Sequence, residues 1–325
     1  MQHEIICLLG GTGFVGKHLA HRLTQQGHQV RVLTRRRERH RELLVNPAVK
    51  LIESDIHDTE QLRRQFAGVD VVINLVGILN ESGKKGAAFR RAHVQLPEKI
   101  VAAALASGVR RLLHMSALNA DAREPHSLYL KTKGEGEELV HAASTKGLVV
   151  TSFRPSVIFG SGDSFFNRFA TLLKLSRPVM PLACPDSRFA PVWVNDVTAA
   201  MCRSLDDATG GERLDLCGPE IYTLKELVRY TRDQLGLRCA IAGLGPRLSR
   251  LQARVLGSLP GKPFTLDNYY SLQKDSICAE NALPTLGITP TPITAVVPGY
   301  LASRTARGHY DGFRRQSRRQ QASDS

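Results

Sequence analysis

Several familiar signals are missing from this chain of 325 residues. It has no CxxC pair and no Cys/His cluster at zinc-ligand spacing, so no metal site is expected. No stretch approaches the roughly 18 apolar residues that cross a bilayer. The opening MQHEIICLLGG lacks the basic region, long apolar run and cleavage site of a secretory signal. The six cysteines (Cys7, Cys184, Cys202, Cys217, Cys239, Cys278) are scattered, and read as reduced thiols in a core. Together these absences point to a cytoplasmic protein that at most rests on the inner face of a membrane. Negative charge is also scarce: 30 acidic residues against 44 Lys and Arg leave a formal charge of +14. Such an excess favours anionic partners, whether nucleic acid, acidic lipid or phosphorylated small molecules. Part of it lies in 303–325, where six arginines face Asp311 and Asp324 in what reads as a flexible tail. That tail is expected either to touch an anionic membrane loosely or simply to solubilise the chain.

What is present is a rhythm. Apolar runs at 4–10, 29–34, 49–55, 69–77, 109–116 and 148–155 read as strands, with helical periodicity between them, as at 15–27 and 96–109. Near-continuous apolar strands alternating with helices predict a doubly wound parallel sheet, the Rossmann arrangement of the α/β class. The expected nucleotide-binding domain is 1–159, with segments around 188–217 returning to the sheet. Past Phe159 prolines become frequent and strands shorter, so 160–302 reads mainly as a smaller substrate- or partner-binding lobe, with helices at 223–236 and 264–276.

CLLGGTGFVGKHLAHRL places Gly10, Gly13 and Gly16 between the first strand and the first helix. A dinucleotide site needs glycine there for a tight turn, for close approach of backbone to pyrophosphate, and for helix–strand packing. The helix start offers free N–H groups to the anion. The ribose partner belongs at the tip of the second strand, QVRVLT, about twenty residues on. No Asp or Glu stands there; Arg35 and Arg36 follow Thr34, and arginine suits a 2′-phosphate through paired charge-assisted bonds. The stretch LTRRRERHR therefore begins with an NADP clamp, with NAD(H) the second choice of cofactor, and Arg37, Arg39 and Arg41 as a solvated face. A nucleic-acid arm is the weaker reading, for the stretch has no interleaved aromatics and no nucleic-acid-binding motif.

HMSALNADAREPHSLYLKTKGEGEELV (114–140) holds the expected chemistry. Tyr129 and Lys133 are four apart and share a helix face. A neighbouring ammonium would lower the phenol's pKa toward working pH, letting it exchange a proton with a substrate oxygen. Ser116, at the end of the fifth strand, would hold the same oxygen.

With these motifs the chain resembles a short-chain dehydrogenase/reductase of the extended or atypical branch, in the NAD-dependent epimerase/dehydratase superfamily. INLVGIL (73–79), LLHMSALNAD (112–121), YLKTKGEGE (129–137), FRPSVIFGSGDSFFNRFA (153–170) and RFAPVWVNDV (188–197) are more closely similar to the NAD(P)H-binding accessory subunit of respiratory complex I and its bacterial relatives, over about 4–302. The resemblance implies a pyrophosphate loop at Gly10, Thr12, Gly13, Phe14, Val15 and Gly16, and a ribose-phosphate position at Arg35 and Arg36. It implies an adenine-holding pair at Asp55 and Ile56, and a strand-four stretch beside ribose and nicotinamide at Leu75, Val76 and Gly77. Ser116, Tyr129 and Lys133 match the catalytic set, with Tyr129 and Lys133 also touching cofactor. Pro155, Ser156 and Val157 match the turn against nicotinamide, and His93 stands where many members carry a supporting asparagine.

Three functions follow as expectations. The first is NADP(H)-dependent oxidation or reduction of a carbonyl or quinone-related small molecule, with Phe165, Phe166 and Phe169 as substrate-lining or, more simply, core residues. The second is a non-catalytic nucleotide-holding, assembly or sensor module, the role the resemblance to a respiratory subunit implies. The third is sugar-nucleotide epimerisation or dehydration, which ranks last because only Arg168 and Arg177 offer a diphosphate clamp. Substrate identity, oligomeric state and physical partners are not written in the sequence.

Overall fold

The first half of the chain builds strands β1 (Ile5–Leu9), β2 (Gln29–Thr34), β3 (Val49–Glu53), β4 (Val71–Asn74), β5 (Arg111–Met115) and β6 (Val149–Pro155). The computed structural model of the chain describes residues 3–81 and 86–301, save the side chain of Asp207, so the basic tail at 303–325 lies outside the described residues. Short strands follow: β7 (Ile158–Phe159), β8 (Val179–Leu182), β9 (Arg188–Phe189) and β10 (Val192–Trp193). Then β11 (Arg213–Leu216) comes back to pair with β6, before β12 (Tyr222–Thr223) and β13 (Ala240–Gly243). The main sheet has the order β3-β2-β1-β4-β5-β6-β11 and every pairing in it is parallel. All its carboxyl ends therefore open on one edge, with the order reversing beside β1, where doubly wound sheets bind ligands.

Helices α1 (Phe14–Gln25), α2 (Thr59–Phe66), α3 (Ala87–Arg90), α4 (Leu96–Ala106) and α5 (Leu128–Ala142) connect the first strands. Along β1 alternate side chains go to opposite faces, as a pleated strand requires. Ile6 and Leu8 join the core beneath α1, while Cys7 and Leu9 join the core beneath α2, α4 and α5. Further on lie α6 (Phe165–Leu175), α7 (Val194–Arg203), α8 (Leu224–Gln234), α9 (Pro246–Gly257), α10 (Leu266–Ser271), α11 (Ala282–Thr285) and α12 (Ile293–Leu301). Of these α7 packs on α1 and gives Val197, Ala200 and Met201 to the first core. Helices α6, α8 and α12 build a separate core around Phe166, Leu227 and Val297.

Two expectations are corrected here. The helix read over 264–276 stops at Ser271, because Ser276 instead donates its N–H to Arg188 O at 2.8 Å and lies along β9. The cysteines are not all free thiols: Cys217 and Cys278 form a disulfide across 61 residues, while Cys7, Cys184, Cys202 and Cys239 are free. Residue 217 directly follows β11, and the extended segment after Ser276 runs beside it, a proximity that no local spacing announces.

The glycines of α5 set where the functional residues stand. A π-helical turn, Arg91–Gln95, lies between α3 and α4 and turns the carbonyl of His93 toward α5. A Cβ on Gly136 would stand 1.8 Å from that oxygen, and one on Gly134 would stand 2.3 Å from the amide nitrogen of Ala122. Glycine inside a helix costs roughly 1 kcal/mol relative to alanine, so close packing, not helix propensity, explains both. Gly136→Ala is expected to destabilise the protein by about 2 kcal/mol or more despite the better helix former, measured by urea denaturation. An unchanged or raised unfolding free energy would show that α5 does not sit this close.

Candidate active site

The glycine loop leaves the carboxyl end of β1 with Gly10 at φ +80°, a left-handed turn that favours glycine. It presses on the end of β4: a Cβ on Gly10 would lie 3.1 Å from the carbonyl carbon of Leu75 and 3.2 Å from Val76 N. Gly16 is held as closely, its Cβ position 2.4 Å from Gly10 O. Gly13 is the N-cap of α1 and supplies no side-chain cap. The first amides of the helix, at Phe14, Val15 and Gly16, thus have no intrahelical acceptor and lie at the positive end of the helix dipole. Thr12 is half-buried beside them. Bare amides above a floor that no side chain could share fit the pyrophosphate of a dinucleotide.

The other expected cofactor residues lie along the same edge. Arg35 and Arg36 leave the tip of β2 exposed, without a side-chain ion pair or hydrogen bond among the described residues. No carboxylate stands on β2 itself, but Glu53 at the end of β3 accepts the Arg37 N–H at 3.2 Å. Asp55 is exposed and accepts the His57 N–H at 2.9 Å, while Ile56 packs against the core. After β4, Leu75 and Val76 are half-buried, and Gly77 lies against the lysine: a Cβ there would stand 3.1 Å from Lys133 Nζ. Beyond β6, Pro155 and Ser156 are buried and Val157 is half-buried; the Ser156 hydroxyl donates to Ser276 O at 2.7 Å.

Helix α5 presents the chemistry. Ser127 caps it, and the Asp267 carboxylate, brought in by α10, accepts the N–H groups of Leu128 at 2.5 Å and Tyr129 at 3.3 Å. Four residues on, Lys133 is buried and its ammonium donates to Met115 O at 2.8 Å, next to Ser116. The Ser116 hydroxyl is itself buried with no partner among the described residues. Burial pushes Lys133 down to about 8, opposed by the Glu137 carboxylate one turn away. The expectation for Tyr129 is corrected: burial, with Asp267 adding to it, pushes its phenol up to about 12 rather than down. Loss of water penalises phenolate, and the Asp267 carboxylate acts in the same direction. At neutral pH the group is a proton donor.

His93 has a defined place. Its Nε2 accepts the Ile78 N–H at 3.1 Å, so Nδ1 carries the proton and donates to Thr132 Oγ1 at 3.0 Å. Thr132 in turn donates to Leu128 O at 2.7 Å. Burial, reinforced by Lys133 and His114, holds the imidazole far below its ordinary pKa, so it stays neutral. It ties the loop after β4 to α5, with its ring 5.6 Å from that of Tyr129 in an edge-on contact. Beneath lies a second polar pair, Asn74 Nδ2 to His114 Nδ1 at 3.2 Å, and Asn74 Oδ1 also takes the Val76 N–H at 3.1 Å. Thr132, Asn74, His114 and Asp267 escaped sequence reasoning. Only the polar residues ending the apolar runs of β4 and β5 could have signalled the middle two.

Other residues singled out from the sequence lie elsewhere. Phe166 is fully buried in the second core, and Phe165 and Phe169 pack against the same cluster. An open cleft of about 1120 Å³ sits at the opposite, amino-terminal edge of the sheet, between Glu4, Arg22, Arg110, Arg203 and Asp206. None of the expected site residues lines it, and Glu4 and Arg110 already pair there at 3.1 Å.

Known proteins share both the sequence pattern and the fold. Residues 6–217 match the NAD dependent epimerase/dehydratase family. The chain is 27% identical over 311 residues to the mitochondrial NADH-ubiquinone oxidoreductase 40 kDa subunit of Neurospora crassa, covering 94% of this chain and 80% of that one. It is 33% identical over 254 residues to the ceramide reductase of Caulobacter vibrioides, covering 76% and 73%. Among solved structures, the dTDP-glucose 4,6-dehydratase DesIV of Streptomyces venezuelae, with NAD bound, superposes with a TM-score of 0.72 at 20% identity, covering 94% of this chain and 98% of that one. A likeness at that identity speaks for the fold alone.

The buried lysine has a pH signature. With its pKa lowered to about 8, the folded protein holds fewer protons than the unfolded chain between that value and the ordinary lysine value of 10.5. This group's penalty on stability is therefore full below about pH 8 and is relieved as pH rises. Wild type is expected to gain on Lys133→Met by up to about 1.4 kcal/mol per pH unit above pH 8, read from paired urea denaturations. A difference that stays flat from pH 7 to 10 would mean the amine keeps its water.

Proposed function

The chain belongs to the NAD dependent epimerase/dehydratase family, and from that membership we propose that it is an NADP(H)-dependent oxidoreductase acting on a carbonyl of a lipophilic, quinone-related molecule. What supports this reading is that Lys133 donates to Met115 O next to the unpartnered Ser116 hydroxyl, with Tyr129 one turn earlier on α5 and kept as a phenol. Arg35 and Arg36, exposed at the tip of β2 without a competing carboxylate on that strand, favour the 2′-phosphate of NADP over the bare ribose of NAD. A nicotinamide cofactor held along this edge would supply the hydride chemistry at the substrate's carbonyl carbon.

The chain's own residues do the rest. The unpartnered Ser116 hydroxyl hydrogen-bonds the carbonyl oxygen and fixes its place. Tyr129 delivers its phenolic proton to that oxygen in reduction and recovers it in oxidation. Lys133 spends one N–H on Met115 O beside Gly77, and its positive charge steadies phenolate as the proton leaves. Asp267, His93 and Thr132 hold α5 and the loop after β4 in register, as positioning residues.

A lipophilic substrate is favoured over a sugar nucleotide by what flanks the site. Leu79 and Leu128 are 56% and 42% exposed at the edge beside Tyr129, while Arg168 and Arg177 lie exposed on and just past α6. The likeness to a ceramide reductase points the same way. A second reading, in which nucleotide is held to stabilise a docking surface and is not turned over, draws on the likeness to a respiratory 40 kDa subunit.

Turnover separates the two. Tyr129→Phe is expected to lower the rate of NADPH oxidation with long-chain ketones or quinones by roughly 100-fold or more, with NADPH affinity unchanged by calorimetry. Arg35→Glu is expected to weaken NADPH about tenfold or more and NADH little. If wild type oxidises NADPH with no member of such a panel and cells tolerate Tyr129→Phe but not Arg35→Glu, the holding role replaces the enzyme.

A further inference from the structure

Helix α9 carries three separate stripes. Ser249 and Ala253 face inward and are buried; the Ser249 hydroxyl donates to Leu244 O at 3.0 Å and accepts the Cys184 N–H at 3.2 Å. Gln252 Nε2 adds a bond to Pro181 O at 3.0 Å, so the helix is firmly seated. A second stripe, Leu248, Leu251 and Val255 at helical spacing, continues into Leu259 just past the helix. These four are 56%, 55%, 56% and 47% exposed, an unusual run of large apolar side chains in water. The third stripe is Arg247, Arg250 and Arg254, also at helical spacing and exposed, with no ion pair among the described residues. Between Pro246 and Lys262 the sequence contains no acidic residue.

We propose that α9 seats the protein on an anionic lipid surface, its leucine–valine ridge in the headgroup–acyl boundary and its arginines at the level of the phosphates. A ridge of apolar side chains flanked by guanidinium groups, with no negative charge, matches the interface of an acidic bilayer in both polarity and sign. The placement agrees with this. Directly after α9, Lys262 Nζ donates to Glu81 O at 2.7 Å and its carbonyl accepts from Asn80 Nδ2 at 3.2 Å. Asn268 Nδ2 then donates to Leu79 O at 3.2 Å, and Asp267 holds the start of α5. The exposed Leu79 and Leu128 thus stand beside the segment that follows the ridge, and a bilayer under α9 would lie on the same side as these two leucines. This inference is separate from the reaction: the surface exists whether or not turnover occurs.

The test is co-sedimentation of the full chain with vesicles of phosphatidylcholine, with and without phosphatidylglycerol. Wild type is expected to bind the anionic vesicles, and Leu251→Glu/Val255→Glu to lower the bound fraction about tenfold with melting temperature and NADPH affinity unchanged. Arg250→Gln/Arg254→Gln, which leaves the ridge intact, is expected to lower binding to the anionic vesicles only. No binding by wild type would overturn the proposal. So would full binding by the apolar pair variant, which would assign it to the basic tail. An apolar pair variant that splits a dimer in sedimentation velocity and still binds vesicles would give the ridge to a second copy of the chain.

Discussion

A buried ammonium governs the arrangement of this protein. Lys133 has lost its water, and an amine in that state needs either partners or a lost proton. Met115 O and the Glu137 carboxylate supply the partners, and burial still takes the pKa down to about 8. Lys133 reaches Met115 O from an α5 that lies close against its neighbours, the backbone at 121–122 over Gly134 and the His93 carbonyl over Gly136, where no side chain would fit. The π-helical turn at Arg91–Gln95 is the matching half of that contact, since it turns His93 O toward Gly136 and His93 Nε2 toward the loop after β4. Burial first, and the ammonium second, hold the nearby imidazoles of His93 and His114 neutral.

Glu137 extends the constraint through the sheet. It is buried and grips Arg154 of β6 with bonds of 3.0 Å to Nε and 2.5 Å to Nη2, with Arg213 of β11 at 3.8 Å. A carboxylate so placed is costly to bury alone, and the guanidinium beside it offsets that cost. The same carboxylate that keeps Lys133 charged therefore also registers α5 on the last strands of the sheet. Chemistry and packing share one residue.

The second cluster of elements is fastened to the site edge at separate points. Asp267 closes the amino end of α5, Asn268 and Lys262 hold the loop at 79–81, and Ser276 takes the Ser156 hydroxyl. The Cys217–Cys278 bridge adds a covalent tie beside the last of these, within a small cluster that includes Leu118 and Ala190. None of these ties involves the glycine loop. The glycine-loop side of the edge is built by local strand–helix turns, while the side next to Tyr129 also draws on residues more than a hundred positions away, such as Asp267.

That division also marks what could be read in advance. Strand and helix spacing gave the doubly wound sheet, because a period is a property of neighbours along the chain; β2 falls on 29–34 as expected. Gly10, Gly16 and the Tyr129–Lys133 pair were legible for the same reason, each being a short-range pattern with a local physical cause. The state of Tyr129 was not legible. Two residues four apart suggest attraction between ammonium and phenolate, but the sequence does not say how much water either has lost, and desolvation decides the sign. The sequence alone determined the strand–helix rhythm, the glycine spacing and the tyrosine–lysine spacing; the tertiary structure decided the protonation of Tyr129 and Lys133, the partners Asp267 and His93, the bridge between Cys217 and Cys278, and which leucines face outward, because each depends on contacts between segments that sequence distance hides.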